Sequence, residues 1–170
     1  WTNLSTTGVL TTSNNLSLNT YGLTLAGSGS FKFDGPVTGT GTLRKMGTGS
    51  LDLNGTDTFT GDKTVDRGTV FIGGNQSAAT GGWLLRGYGD SGSAFNTVAT
   101  TTTFEGTSTV SIASGKTVQL GNNSANGGFQ FQTLHANGSV TNAGSLFIGR
   151  AGTLNVGGTW TQSGIATVFT

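Results

Sequence analysis

The sequence contains no cysteine, only one proline and few charged residues. Without cysteine, the chain has neither a disulfide framework nor a thiolate site for metal or redox chemistry. Charged residues make up 9% of the sequence, far below the roughly 25% of a typical globular domain. The formal net charge is +1, so no excess of basic residues is present to displace counterions from nucleic acid, and we expect no nucleic-acid partner.

Long hydrophobic runs and helical patterns are also missing. No apolar stretch approaches the roughly 18 residues that a membrane-spanning helix requires, so we expect no membrane-spanning segment. Apolar residues do not recur with the 3.6-residue period of a helix, which predicts essentially no helix. His135 is the single histidine, so no histidine pair can hold a metal ion. We predict no metal, no cofactor and no catalytic residue, and hence no enzyme.

Short apolar alternation and small polar residues dominate the sequence. Glycine accounts for 31 of the 170 residues, and minimal strands such as Leu23–Thr24–Leu25 and Phe31–Lys32–Phe33 lie between turns rich in glycine and asparagine. Strands this short are marginal as isolated hairpins, but they can bury a face when they stack as rungs of a coil. We predict a right-handed parallel β-helix, a β-solenoid in one domain over residues 1–170. We expect roughly 20 to 25 residues per rung, and thus about seven or eight rungs.

The most specific pattern lies between Gly39 and Gly74. It runs Gly-x-Gly-x-Leu-x-Lys-x-Gly-x-Gly-x-Leu-x-Leu-x-Gly and continues with an aromatic residue, Thr-Gly, a Thr-Val pair and Gly-Thr. This stretch resembles the autotransporter-associated β-strand repeat of bacterial passenger domains, although Val70 stands where leucine is usual. The matching residues are Gly39, Gly41, Leu43, Lys45, Gly47, Gly49, Leu51, Leu53, Gly55, Phe59, Thr60, Gly61, Thr64, Val65, Gly68 and Thr69.

The resemblance implies a location and a role. It covers residues 39–74 of the 170 and implies a non-enzymatic structural module of a secreted or cell-surface bacterial protein, such as a passenger-like stalk or an adhesin. The expected localisation is therefore extracellular or at the bacterial cell surface. Host or surface glycans and proteins are the expected external partners.

The two ends of the chain suggest an alternative function. Residues 165–170 have the pattern of a strand without a charged or proline residue to protect its edge, and the sequence opens on Trp1. An open solenoid end is a template for strand pairing. Either a longer chain continues there, or copies stack end to end into an extracellular filament. The candidate end-to-end contacts are Trp1, Trp160, Val168 and Phe169.

Residues 75–103 depart from the regular rhythm and predict an irregular loop or insertion. Trp83, Arg86 and Tyr88 fall in this segment and are candidates for contact with a glycan or a protein. The alternative is that Trp83 folds back and covers the coil.

Two further functions find weaker support. A glycan-active β-helix enzyme would need clustered carboxylates, and Asp57, Asp62 and Asp66 lie close enough in sequence to share one rung. Ice binding would need threonine triplets at the same position of every rung. Triplets such as Thr40–Gly41–Thr42 are spaced irregularly in the sequence, which argues against that mechanism.

Overall fold

The computed structural model is an all-β coil of parallel strands. It describes residues 1–74, 78–85, 100–104, 110–112, 114–115, 117–120, 132–136, 138–149 and 152–168. These residues contain no helix and form a parallel β-solenoid of about five turns. The prediction of an all-β solenoid without helix is therefore confirmed. No helix in this part of the chain is long and apolar enough to cross a membrane.

Nineteen short strands are present in the described residues. In chain order they are β1 (Val9–Thr12), β2 (Leu16–Ser17), β3 (Leu23–Leu25), β4 (Ser30–Phe33), β5 (Val37–Thr38), β6 (Leu43–Lys45), β7 (Ser50–Leu53), β8 (Lys63–Val65), β9 (Gly68–Ile72), β10 (Trp83–Leu85), β11 (Thr100–Phe104), β12 (Val110–Ile112), β13 (Thr117–Leu120), β14 (Gln132–Ala136), β15 (Val140–Asn142), β16 (Ser145–Ile148), β17 (Gly152–Val156), β18 (Trp160–Gln162) and β19 (Ile165–Val168).

Strands from successive turns stack into five sheets. The longest has seven strands in the order β1-β4-β7-β9-β11-β14-β17. The other four sheets have the strand orders β10-β8-β6-β3, β12-β15-β18, β13-β16-β19 and β2-β5. Within each sheet, neighbouring strands come from successive turns and pair in parallel, so the chain winds as a coil.

The pairing register gives the length of a turn. Leu23 pairs with Leu43, Leu43 with Lys63 and Lys63 with Trp83, so the interval between partners is constant over these turns. Leu134 and Leu154 pair at the same interval. In the middle of the chain the turns are longer, because Val70 pairs with Thr102 and Thr102 with Leu134. The turn length expected from the sequence thus holds at both ends of the coil, at the lower limit of its range, but not between them.

The segment predicted to be irregular, residues 75–103, is only partly described. Strand β10 pairs with β8, and β11 lies between β9 and β14 in the seven-stranded sheet. Both strands therefore belong to the coil. Residues 75–77 and 86–99 lie outside the described part of the chain.

The inward positions of the strands form one apolar core. Phe31, Leu51 and Val70 stack in one column, and each is at most 1% exposed. The alternation of buried and half-buried residues in β4, β7 and β9 follows the two-residue period of a strand. Burial of such side chains contributes about 1.5–3 kcal/mol each, so a narrow coil gains stability from every turn that it adds.

Stacked glycines allow the corners of adjacent turns to approach closely. A Cβ atom on Gly61 would lie 1.8 Å from the carbonyl oxygen of Gly41, and one on Gly81 would lie 1.9 Å from that of Gly61. A Cβ on Gly47 would lie 1.8 Å from the carbonyl oxygen of Gly27. The glycines of the sequence pattern are therefore explained by backbone contact between turns.

Candidate functional site

Lys63 lies in the interior of the coil. It is the first residue of β8 and is 1% exposed. Its Nζ donates hydrogen bonds to the carbonyl oxygens of Ala79 at 3.1 Å, Gly81 at 3.3 Å and Phe59 at 3.4 Å. The same ammonium group lies 4.3 Å from the ring centroid of Phe59 and 5.9 Å from that of Trp83. These hydrogen bonds connect the corner of one turn with the corner of the next.

Lys45 is a second lysine inside the coil, at the end of β6. It is 1% exposed, and its Nζ donates a hydrogen bond to the carbonyl oxygen of Gly47. Burial lowers the pKa of Lys45 from its ordinary value of 10.5 to about 8, because the charged form loses its hydration. Both lysines therefore serve the structure and are not available to a ligand.

The three aspartates proposed for a catalytic cluster are bound to different partners. Asp57 is fully buried, and its Oδ1 accepts a hydrogen bond from the backbone nitrogen of Val37 at 2.7 Å. Asp62 accepts one from the backbone nitrogen of Gly82 at 3.0 Å. Each of these bonds joins neighbouring turns.

Asp66, the third aspartate, forms an ion pair. Its Oδ2 lies 2.6 Å from Nε of Arg44, a residue of the preceding turn. The described residues also contain no group of three or more histidine, aspartate or glutamate side chains that could hold a metal ion. Each of the three carboxylates thus binds a group of a neighbouring turn.

Trp83 is located in the core. Its side chain is 4% exposed and lies against the ammonium group of Lys63. Its side chain therefore lies inside the coil, as an inward residue of β10. Arg86 and Tyr88, the other two candidates for an external contact, lie outside the described residues, so that contact stays a prediction.

The residues of the first turn expose apolar surface. Trp1 is 51% exposed, and its ring packs edge-on against Phe33 with centroids 6.0 Å apart. An open cavity of about 420 Å³ is lined by Trp1, Thr2, Leu10, Thr11 and Thr12.

The last turn also exposes apolar side chains. Val168 is 63% exposed and Ile165 is 59% exposed, whereas Trp160 is half-buried. Phe169 lies outside the described residues. The described members of the predicted end-to-end contact therefore lie on the two end turns, and their role stays a prediction.

The outer face of the seven-stranded sheet shows a pattern that the sequence conceals. At one register position, six successive strands carry a hydroxyl residue: Ser30, Ser50, Thr69, Thr101, Thr133 and Thr153. The preceding strand has Val9 at this position. We call this surface, from β4 to β17, the hydroxyl face. The column is not evident in the sequence because the turns that separate its members differ in length.

No protein-family model, no curated protein and no solved structure matches this chain.

Proposed function

We propose that this chain is a non-enzymatic structural module of a secreted or cell-surface bacterial protein, such as a passenger-like stalk or an adhesin. The observation that supports this role most directly is that several charged side chains bind groups of the coil itself. Lys45 and Lys63 bind corner carbonyls, Asp57 and Asp62 bind backbone amides of adjacent turns, and Asp66 pairs with Arg44. The side chains of Lys63, Asp57, Asp62 and Asp66 thus join neighbouring turns. Lys45 binds a carbonyl oxygen of its own turn. The resemblance of residues 39–74 to the autotransporter-associated repeat supports the same role.

We further propose that the coil is right-handed with seven rungs. Connections between parallel strands of one sheet are right-handed in about 98% of cases. The seven strands of the longest sheet support the lower of the two expected rung numbers. With about 4.8 Å between strands, such a coil would be a short rod with a length of about 30 Å.

The location can be tested on the cells that produce the protein. Intact cells are treated with a protease that does not enter them, and the protein is followed by an antibody in the cell, surface and medium fractions. We expect the protein in the medium or in the protease-accessible fraction. A cytosolic enzyme is the internal control for lysis. If the protein resists the protease to the same extent as the cytosolic enzyme does, the proposal is contradicted.

A second candidate function is end-to-end assembly into an extracellular filament. The exposed Val9, Leu10, Ile165 and Val168 on strands of the first and last turns favour it. Contact between two different ends of identical copies is heterologous and does not close, so it gives fibres. Sedimentation over a concentration series, followed by negative-stain electron microscopy, tests this function. Fibres that disappear in a Leu10→Lys variant would support it, whereas a monomer at every concentration would contradict it.

A further inference from the structure

The seven-stranded sheet has an open edge at each end of the coil. In the described part of the chain its two edge strands are β1 (Val9–Thr12) and β17 (Gly152–Val156). An edge strand presents backbone N–H and C=O groups to which another strand can pair, and natural sheets usually protect such an edge with charged side chains or proline.

The sequence of both end turns is free of charged side chains. All eight Lys and Arg residues and all seven Asp and Glu residues lie between Lys32 and Arg150. The single proline, Pro36, is in neither β1 nor β17. The two edge strands therefore carry none of the side chains that keep sheets from pairing edge to edge.

The inward positions of the two edge strands are apolar and only partly covered. Leu10 on β1 begins an inward column that passes through Phe31 and ends at Leu154 on β17. Leu10 is 45% exposed and Leu154 is half-buried, whereas Phe31 is fully buried. The first and last members of this column thus lack the neighbour on one side that covers Phe31.

Two open cavities border the edge of β1. The larger has a volume of about 420 Å³ and is lined by Trp1, Thr2, Leu10, Thr11 and Thr12. The smaller has a volume of about 160 Å³ and is lined by Thr2, Asn3, Gly8, Val9 and Leu10. Every residue of β1 lines one of them, so the edge of this strand is accompanied by space for the side chains of a further strand.

We propose that β1 of one copy pairs in parallel with β17 of a second copy, so that the seven-stranded sheet continues from one molecule into the next. This pairing rests on end-to-end assembly, the second candidate function, and adds to it the polarity and the register of the contact. Continuation of the inward column places Leu10 of one copy against Leu154 of the other. Val156, two residues further along β17, then lies against Thr12 and beside the larger cavity.

A second copy fits this edge because the contact repeats one that the chain already makes. Within the coil, Leu134 on β14 pairs with Leu154 on β17, and both lie at inward positions. In the proposed contact Leu10 takes the place on the other side of Leu154 that Leu134 takes within the chain. The apolar contact and the parallel hydrogen bonding are therefore of the same kind as those between turns.

A contact between two identical ends is the alternative. Two copies of β1 related by a twofold axis would run antiparallel and would close the assembly as a dimer. The strands of the seven-stranded sheet pair in parallel, and a twofold contact would leave the edge of β17 uncovered. The observations thus favour the contact between different ends, and the twofold contact is an outcome of the test.

Two lysine variants test the polarity of the contact. Leu10→Lys puts a charge at the β1 end, and Leu154→Lys puts one at the β17 end. In sedimentation over a concentration series, each variant alone should associate at least about tenfold more weakly than the unchanged chain, because burial of an unpaired charge is unfavourable. An equimolar mixture of the two should form a dimer, because one unchanged end of each kind is left.

Met46→Lys is the matched control for the lysine variants. Met46 is also an exposed apolar residue, at 39%, but it follows β6 and lies away from both edge strands. This variant should associate like the unchanged chain. Far-ultraviolet circular dichroism and urea unfolding check that all three variants are folded.

Single cysteines test the register. Thr11 on β1 and Asn155 on β17 are the first and last members of one column. Chains with Thr11→Cys are mixed with chains with Asn155→Cys and mildly oxidised, so every disulfide joins two copies. The control mixture replaces Asn155→Cys by Thr161→Cys, because Thr161 is an exposed residue of β18 in a different sheet.

The first mixture should give at least about tenfold more mixed disulfide dimer than the control mixture, because a disulfide requires a Cα separation of about 4.4–6.8 Å. Equal yields in the two mixtures would overturn the proposed register. Association that persists in Leu154→Lys alone, or disulfide dimers of Thr11→Cys chains alone at the same yield, would show contact between identical ends and overturn the polarity, while assembly itself would stand. A monomeric unchanged chain at every concentration would overturn both the pairing and the assembly.

Discussion

Lys45 and Lys63 occupy inward positions where an apolar side chain is usual. Lys45 is paired with Leu25 and Val65 in the adjacent turns, and Lys63 with Leu43. Burial of a charge is unfavourable unless hydrogen bonds compensate for the lost hydration. Lys63 binds three carbonyl oxygens, whereas one hydrogen bond from the Nζ of Lys45 is described. Lys63 should therefore contribute more than Lys45 to the free energy of unfolding.

Lys45 should make the protein more stable at alkaline pH. Its pKa is about 8 in the folded chain and 10.5 ordinarily, so between these values the unfolded chain binds more protons than the folded one. The free energy of unfolding therefore rises with pH through this range. Urea midpoints measured across this pH range should show this rise, and Lys45→Met should reduce it. An identical pH profile in the two proteins would contradict the assignment.

Replacement of Lys63 by methionine should be strongly destabilising. Methionine fills a similar volume, but it leaves the buried carbonyl oxygens of Phe59, Ala79 and Gly81 without this donor. Unsatisfied buried groups cost about 1–3 kcal/mol each, so a loss of about 3 kcal/mol in the free energy of unfolding is expected from urea titration at neutral pH. Lys45→Met should lose less at the same pH. An equal loss of unfolding free energy in Lys45→Met and Lys63→Met would contradict the inference that the three carbonyl contacts make Lys63 the more stabilising lysine.

At the scale of elements, the corners of the coil limit which residues are allowed. In Gly61→Ala the new methyl group would meet the backbone of Gly41, which cannot move without disturbing the stacked turns. We expect a loss of about 3 kcal/mol or more in the free energy of unfolding, at the upper end of the cost of overpacking.

Gly22→Ala is the matched control for this corner. Its new Cβ would lie 2.9 Å from Oγ1 of the Thr42 side chain and would approach no backbone atom. A side chain can rotate away, so the expected loss is below about 1 kcal/mol. Comparable unfolding midpoints for the two variants would mean that the corner glycines are not required by backbone contact.

The strands themselves were largely predictable from the sequence. Runs such as Leu23–Leu25 and Phe31–Phe33 show strict alternation, and the structure has strands over these residues. The interior lysines were harder to predict, because the alternation places Lys45 inward but the low polarity of the core argues against it. The Nζ of Lys45 binds the carbonyl oxygen of Gly47. Every residue has a backbone carbonyl, so the sequence does not indicate which one serves as this partner.

At the scale of the whole molecule, the register between turns was the main unknown. The sequence predicts an irregular segment around Trp83 because residues 75–82 lack apolar alternation, yet Trp83 pairs with Lys63 at the same interval as the turns before it. The hydroxyl face cannot be found from the sequence because the intervals between its members differ. Thr69 and Thr101 are separated by a long turn, so a fixed spacing in the sequence does not find them.

The central claim is that successive turns stack in the described register, and engineered disulfides test it most directly. The chain has no cysteine of its own, so pairs can be introduced without competing thiols. Lys32→Cys with Asp52→Cys and His135→Cys with Asn155→Cys place thiols on adjacent strands. Strands about 4.8 Å apart lie within the Cα separation of about 4.4–6.8 Å that a disulfide requires.

Lys32→Cys with His135→Cys is the control, because both residues occupy the same register position but lie four strands apart, at about 19 Å. After mild oxidation of dilute protein, mass spectrometry of the tryptic peptides should find an intramolecular disulfide in both adjacent pairs and none in the control. Failure of both adjacent pairs, or equal cross-linking of the control, would contradict the stacked register on which this account of the fold, the corners and the hydroxyl face depends.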